Sequence, residues 1–190
     1  MNIKTTPFKE VFILKPNVHL DERGSFMESF NGREFENVLS RKIAFCQDNQ
    51  TVSKKGVLRG LHYQLPPFAQ TKLVRVIKGA VLDVVVDIRY DSPTFGEHVS
   101  VELTGENKKQ ILVPRGFAHG FVVLSEEATF AYKVDNYYNF ESERGFSFDD
   151  PKLNIDWKIK TEKLNLSLKD TNQPLFIEAE YFKSTNKLYE

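Results

Sequence analysis

What most constrains this chain is a succession of short, turn-bounded runs rich in Phe, Val, Ile and Tyr. They occupy 24–30, 43–50, 56–64, 70–77, 80–88, 97–103, 110–113, 117–124 and 127–135. Turn signals separate most of them: Lys78-Gly79, Asp91-Ser92-Pro93, Thr104-Gly105-Glu106-Asn107 and Pro114-Arg115-Gly116. Many short strands at regular spacing predict an all-β sandwich or barrel rather than a βαβ fold. A helix is expected over 33–40, where Phe35, Val38 and Leu39 recur at helical spacing. After Gly145 the alternation fades. The single domain of 190 residues is therefore expected to have a core over about 20–145 and a C-terminal arm over 146–190. Trp157 should anchor that arm, with a short helix near 161–169.

Composition excludes several roles. A 41% hydrophobic fraction suffices for a core without disulfides or a structural metal. With 26 basic and 26 acidic residues spread along the chain, neither nucleic acid nor an anionic membrane is an expected partner, although a local basic pocket is compatible. The lone Cys46 has no partner for a disulfide or a thiolate metal site and is expected to be a small buried apolar residue. The N-terminus lacks the apolar run of a signal peptide and no stretch reaches membrane-spanning length, so a cytoplasmic protein is expected.

Alternation also says which side chains share a face, because residues two apart on a strand point the same way. Phe26, Glu28 and Phe30 form one such set; Phe45, Gln47 and Asn49 another; Lys72, Val74 and Val76 a third. His119 lies with Phe121 and Val123, and Tyr132 with Phe130 and Val134, while Lys133 points outward. Singly, each polar residue reads as a core group satisfied by hydrogen bonds. Five strands aiming polar groups at one interior is a different matter, since each unsatisfied group costs roughly 1–3 kcal/mol. A polar, ligand-filled barrel mouth accounts for them better. Arg59 and His62 are three apart, so strict alternation places them on opposite faces; a bulge at Gly60 would bring both inward.

Three segments carry a family resemblance: GVLRGLHYQLPPFAQTKLVRVIKGAVLDVVVDIRYDSPTFG, PRGFAHGFVVLSEEATFAYKVDNYYNFESERG and DDPKLNIDW. In order and spacing they resemble the dTDP-4-dehydrorhamnose 3,5-epimerase family, from about Ile13 to Asp170. The resemblance implies a cupin-type double-stranded β-helix, or jelly roll, in a homodimer whose N-terminal strands are exchanged between subunits. Many cupins hold a metal through an HxH pair; here that position reads His62-Tyr63-Gln64, so one imidazole is missing. No metal and no organic cofactor are expected. Thr71 stands where the family commonly has glycine.

The implied substrate is a dTDP-linked 4-keto-6-deoxy sugar, whose C3 and C5 protons are acidified by the C4 ketone. The resemblance assigns His62 as base and Tyr132 as acid, with Asp170 orienting the imidazole and Lys72 stabilising the enolate oxygen. Histidine suits the first role because its ordinary pKa, about 6.5, lies near the working pH. His119 is expected to contribute a hydrogen bond nearby. Arg23, Glu28, Gln47, Asp48 and Asn49 match nucleotide-contact positions, Arg59 the pyrophosphate contact, Tyr138 the aromatic that stacks on thymine, and Glu143 and Lys169 further contacts. Three alternatives remain at this stage: an epimerase acting at C3 or C5 alone, a metal-dependent cupin, and a non-catalytic sugar-nucleotide binding module.

Overall fold

The alternating strands are realised as two facing antiparallel sheets, a cupin-type jelly roll. The computed structural model describes residues 1–39, 42–182 and 188–189. The strands are β1 (Asn2–Thr5), β2 (Phe12–Lys15), β3 (Val18–Asp21), β4 (Gly24–Met27), β5 (Gln47–Lys54), β6 (Leu58–Gln64), β7 (Lys72–Lys78), β8 (Ala80–Asp87), β9 (His98–Thr104), β10 (Gln110–Val113), β11 (Phe117–Val123), β12 (Glu127–Val134) and β13 (Glu143–Gly145). One sheet runs β1-β2-β10-β7-β12-β5 and the other β13-β6-β11-β8-β9, while β3 and β4 form a separate hairpin. Two short α-helices complete the set, α1 (Gly32–Leu39) and α2 (Leu168–Thr171).

Between the sheets, Val74 and Val76 of β7 and Phe130 of β12 meet Val81 and Val85 of β8 and Phe121 and Val123 of β11. Phe121 and Phe130 stack with centroids 4.0 Å apart. β8 is buried on both faces from Val81 to Asp87, which explains its nearly unbroken valine run. Its outer side belongs to a second core in which Leu82, Val84 and Val86 meet Phe146, Phe148, Trp157 and Phe176 of the arm. The arm thus covers the five-stranded sheet. Trp157 anchors it as expected, buried and donating from Nε1 to the Phe148 carbonyl at 2.8 Å. A third cluster, around Leu14, Phe35, Leu73 and Leu112, seats α1 on the outside of the six-stranded sheet.

Several expectations need correction. Strands β1 and β2 extend the six-stranded sheet, so the sandwich begins well before residue 20. β4 ends at Met27 and its hairpin stands outside both sheets, leaving Phe26 67% exposed. Phe30 packs instead on the outer cluster, so 26, 28 and 30 do not share an inward face. Phe45 joins that outer cluster too, because β5 starts only at Gln47. Cys46 is exposed rather than buried, its thiol 3.5 Å from the Val134 carbonyl at the sheet edge. The helix expected near 161–169 is two single turns, a 3-10 turn at Thr161–Lys163 and α2. Ser40, the end of the helix expected over 33–40, and 183–187 and 190 of the arm lie outside the described residues.

Candidate active site

One cavity of about 290 Å³ opens between the sheets, lined by Thr51, Arg59, His62, Lys72, His119, Phe121, Phe130, Tyr132, Ser167, Lys169 and Asp170. Its two walls come from different sheets. His62 on β6, Arg59 on β6 and His119 on β11 belong to the five-stranded sheet, whereas Lys72 on β7 and Tyr132 on β12 belong to the six-stranded one. A flat ligand held between them meets the histidines on one side and the tyrosine and lysine on the other.

The bulge at Gly60 is present. His119 pairs with His62 and Phe121 with Arg59, so three residues of β6 advance against two of β11. The extra residue turns Arg59 and His62 to the same side. Gly60 has φ +126°, and a Cβ there would lie 2.5 Å from the Gly120 Cα, so no other residue fits.

α2 brings Asp170 against β6. Ser167 caps the helix, accepting from the Asp170 N–H at 3.2 Å. The Asp170 carboxylate accepts from His62 Nε2 at 2.6 Å through one oxygen and from the Ser167 hydroxyl at 2.7 Å through the other. Burial would push this carboxyl up, but the His62 and Ser167 hydrogen bonds outweigh it and hold it below the usual carboxylate range. An ionised Asp170 accepting from Nε2–H leaves Nδ1 as the ring nitrogen free to take a proton.

The facing groups are tuned by burial. Tyr132 is pushed above its ordinary value, with the Arg59 charge opposing, so it stays protonated near neutrality. Lys72 is lowered to about 8 by burial, against the pull of Asp83 and Glu143. At neutral pH it is still mainly a cation. His119 bonds Asp83 at 2.9 Å, and burial pushes the Asp83 carboxyl up despite the opposing His119 and Lys72 charges.

Seven of the residues expected in the site therefore share this cavity: Arg59, His62, Lys72, His119, Tyr132, Lys169 and Asp170. Glu143 forms an ion pair with Lys169 and accepts from the Tyr138 hydroxyl at 2.8 Å, which places Glu143 and Tyr138 beside the cavity through Lys169. Gln47 and Asn49 are bonded to each other at 2.7 Å on the inward side of β5. Asp48 faces outward and pairs with Lys133 at 2.8 Å. Arg23 is exposed and pairs with Asp21, and Glu28 accepts from Asn31 at 3.3 Å; neither lines the cavity. Two cavity groups, Ser167 and Thr51, were missed, and so was Asp83, the carboxylate behind His119. Asp83 announced itself as a lone carboxylate inside the apolar run of β8. Ser167 stands three before Asp170, the spacing of a helix cap, and Thr51 lies two beyond Asn49 on the same face. Among the described residues, no three His, Cys, Asp or Glu side chains gather closely enough to hold a metal ion.

The sequence model of the dTDP-4-dehydrorhamnose 3,5-epimerases matches residues 5–178. The chain belongs to this family. It is an epimerase, an isomerase of nucleotide-sugar metabolism. A dTDP-4-dehydrorhamnose 3,5-epimerase from Shigella flexneri is 53% identical over 182 residues, covering 96% of this chain and 99% of that protein. The crystal structure of the Elizabethkingia anophelis epimerase superposes with a TM-score of 0.90 at 51% identity, covering 93% of this chain and 97% of that one. That of the Legionella pneumophila epimerase, in complex with dTDP-4-keto-L-rhamnose, gives 0.88 at 51% identity and 92% coverage of each chain. Among the described residues, no helix of this epimerase is long and apolar enough to cross a membrane.

Proposed function

We propose that this epimerase inverts C3 and C5 of dTDP-4-keto-6-deoxy-D-glucose, giving dTDP-4-keto-L-rhamnose for dTDP-L-rhamnose biosynthesis. The observation that carries the proposal is the His62–Asp170 pair on one wall of the cavity with Tyr132 and Lys72 on the other. His62 Nδ1 takes the proton from the carbon beside the ketone, and Asp170 stabilises the imidazolium. The electron pair left behind spreads onto the ketone oxygen, where the Lys72 cation stabilises it; preorganised charge of this kind is commonly worth about 3–4 kcal/mol of barrier. Tyr132 then delivers its proton to the opposite face of the carbon, and the Arg59 charge eases formation of the phenolate. Exchange with solvent resets both groups.

Arg59 also suits the pyrophosphate, being planar and permanently charged, while Tyr138, Glu143 and Lys169 at the rim suit the nucleoside. Gln47 and Asn49 would reach the nucleotide from β5, whereas Asp48, on the outer face with Lys133, would not. Arg23 and Glu28 lie outside the cavity of their own subunit, on and just after a hairpin whose Leu20 and Phe26 are exposed. This supports a homodimer in which that hairpin reaches the partner's cavity. The reading is of one catalytic domain over 1–190, working in the cytoplasm without metal or organic cofactor.

The test is proton NMR of dTDP-4-keto-6-deoxyglucose with the enzyme in deuterated water. Deuterium at both C3 and C5, abolished in His62→Ala, is the expected result. Exchange at one carbon would assign a single-site epimerase, and binding without exchange would leave only a sugar-nucleotide binding module.

A further inference from the structure

Lys72 is the first residue of β7 and the end pair of both its ladders, opposite Val113 of β10 and Val134 of β12. Strand ends fray, so a group that must stay on one ligand atom is poorly placed there unless something holds the end. Here the residues just past the three strand ends are tied together. The Thr71 N–H donates to one Asp135 carboxylate oxygen at 2.6 Å, and the Thr71 carbonyl accepts from the Asp135 N–H at 3.2 Å. The other Asp135 oxygen accepts from Arg115 Nε at 3.2 Å. Asp135 follows Tyr132 by three residues, so this joint sets the spacing of the two groups on the Lys72 wall of the cavity.

Over the joint lie Leu188 and Tyr189, beyond the residues 5–178 that the family model matches. The Leu188 carbonyl accepts from Arg115 Nη1 at 2.8 Å, and the guanidinium carbon stands 5.1 Å from the centre of the Tyr189 ring. The Tyr189 hydroxyl accepts from the Arg115 N–H at 3.2 Å and from the Thr71 hydroxyl at 3.3 Å. Thr71 is fully buried and the side chains of Asp135 and Arg115 largely so, which shields these bonds from competing water. A tail held for packing alone needs only the buried Leu188. It has no need of a phenol bonded to the residue before Lys72. We propose that Tyr189 is a positioning residue for the reaction, its hydroxyl joining Thr71 to Arg115 and so holding Lys72 at the ketone oxygen. The inference rests on the functional reading above, in which Lys72 stabilises the enolate.

Steady-state kinetics of Tyr189→Phe across the alkaline limb of the pH–rate profile test this, since the variant keeps the ring over Arg115 and removes only the hydroxyl. Misplacing a catalytic group from a distance lowers rates by up to about 10²-fold; here kcat should fall about three- to tenfold with KM steady. The alkaline limb should move to higher pH. Burial and Lys169 hold Lys72 low against Asp83 and Glu143, and a looser strand end admits water to the amine. Thr71→Val should reproduce the loss and Thr71→Ser, which keeps a hydroxyl, should not. In a Lys72→Ala background, Tyr189→Phe should have no further effect, because the hydroxyl acts through the amine. Wild-type kcat and an unmoved limb in Tyr189→Phe overturn the proposal, even if its unfolding midpoint drops, because the tail would then serve stability alone. So does a kcat loss of the same size in the Lys72→Ala background, which would detach the effect from Lys72. Lys72→Ala enzyme as active as wild type overturns the reading of Lys72 itself and takes this proposal with it.

Discussion

Two histidine–aspartate pairs place their imidazoles on the same cavity, and they differ in how the carboxylate behind each ring is held. His62 and His119 are cross-strand neighbours on β6 and β11, and each bonds a carboxylate through Nε2. Asp170 sits in a helical turn, with Ser167 on its second oxygen, and is held ionised. Asp83 comes from the middle of a strand buried on both faces, and its second oxygen has no partner among the described residues. Burial pushes its carboxyl up. The difference teaches that a His–Asp pair is not itself a catalytic unit: hydrogen bonds to the carboxylate decide how well it supports a positive imidazole. On the proposed mechanism the first pair takes a proton and the second holds a ring in place beside Lys72.

The harshest way to break this division is to remove each imidazole. His62→Asn should lower kcat by about 10³–10⁴-fold, the scale of a lost general base. His119→Asn removes one group near the developing enolate and should cost about 10²-fold. Both variants should still bind dTDP in a calorimetric titration. Equal losses in kcat for the two would end the assignment of base to His62 alone.

The carboxylates separate next. Asp170→Asn should reduce kcat by roughly 30- to 100-fold, as for partners that orient a functional imidazole, and Asp83→Asn by less. Stability should separate them by sign. Asp170 is depressed in the fold, so its contribution is present above the unfolded value near 3.9 and fades as pH falls through the folded value. Asp83 is raised, so the unfolded chain loses its proton first and stability falls as pH rises through that window. In denaturant unfolding, the margin of wild type over Asp170→Asn should shrink as pH falls below about 4, whereas that over Asp83→Asn should shrink as pH rises from 4 to 7. Parallel slopes would mean the two environments do not differ as described.

Lys72 sharpens the comparison further, because Asp83 and Glu143 pull its pKa up while burial and Lys169 pull it down to about 8. The deprotonated amine cannot stabilise an enolate, so kcat should fall about tenfold between pH 7 and 9. Asp83→Asn removes one of the two supporting charges and should move this alkaline limb to lower pH, whereas Asp170→Asn should leave it in place. A pH–rate profile of the three enzymes decides it.

How much of this was legible in the sequence depended on how local the determinant is. Alternation from Leu58 to Val134 exposed the strands and put Lys72, His119 and Tyr132 on inward faces, because pleat geometry needs only neighbours. The Gly60 bulge was readable from a glycine between two functional residues three apart. The N-terminal segment was misread, since Phe26 and Phe30 alternate perfectly yet one is exposed and the other packs on an outer cluster. Pattern alone does not say which surface an apolar face meets. Asp170 is 108 residues from His62, so only the resemblance, and then the fold, brought them together.

The smallest effect concerns Ser167, and it tests whether the hydrogen bonds to Asp170 are what distinguish the two pairs. Ser167 both caps α2 and donates to the carboxylate. Ser167→Ala removes both contacts, so a stability loss of about 1 kcal/mol is expected from the cap alone and says nothing of catalysis. The discriminating readout is kcat against KM. If the serine serves only the helix, kcat should be unchanged at temperatures where the variant is folded. If it fixes Asp170 on His62, kcat should fall about three- to tenfold with KM steady, and Ser167→Thr, which keeps the hydroxyl, should restore it. Ser167→Ala would then bring Asp170 closer to Asp83, its carboxylate left with His62 and the Gly60 backbone but no hydroxyl donor. A kcat that does not respond would show that depth of burial, rather than the second hydrogen bond, separates the working pair from the structural one.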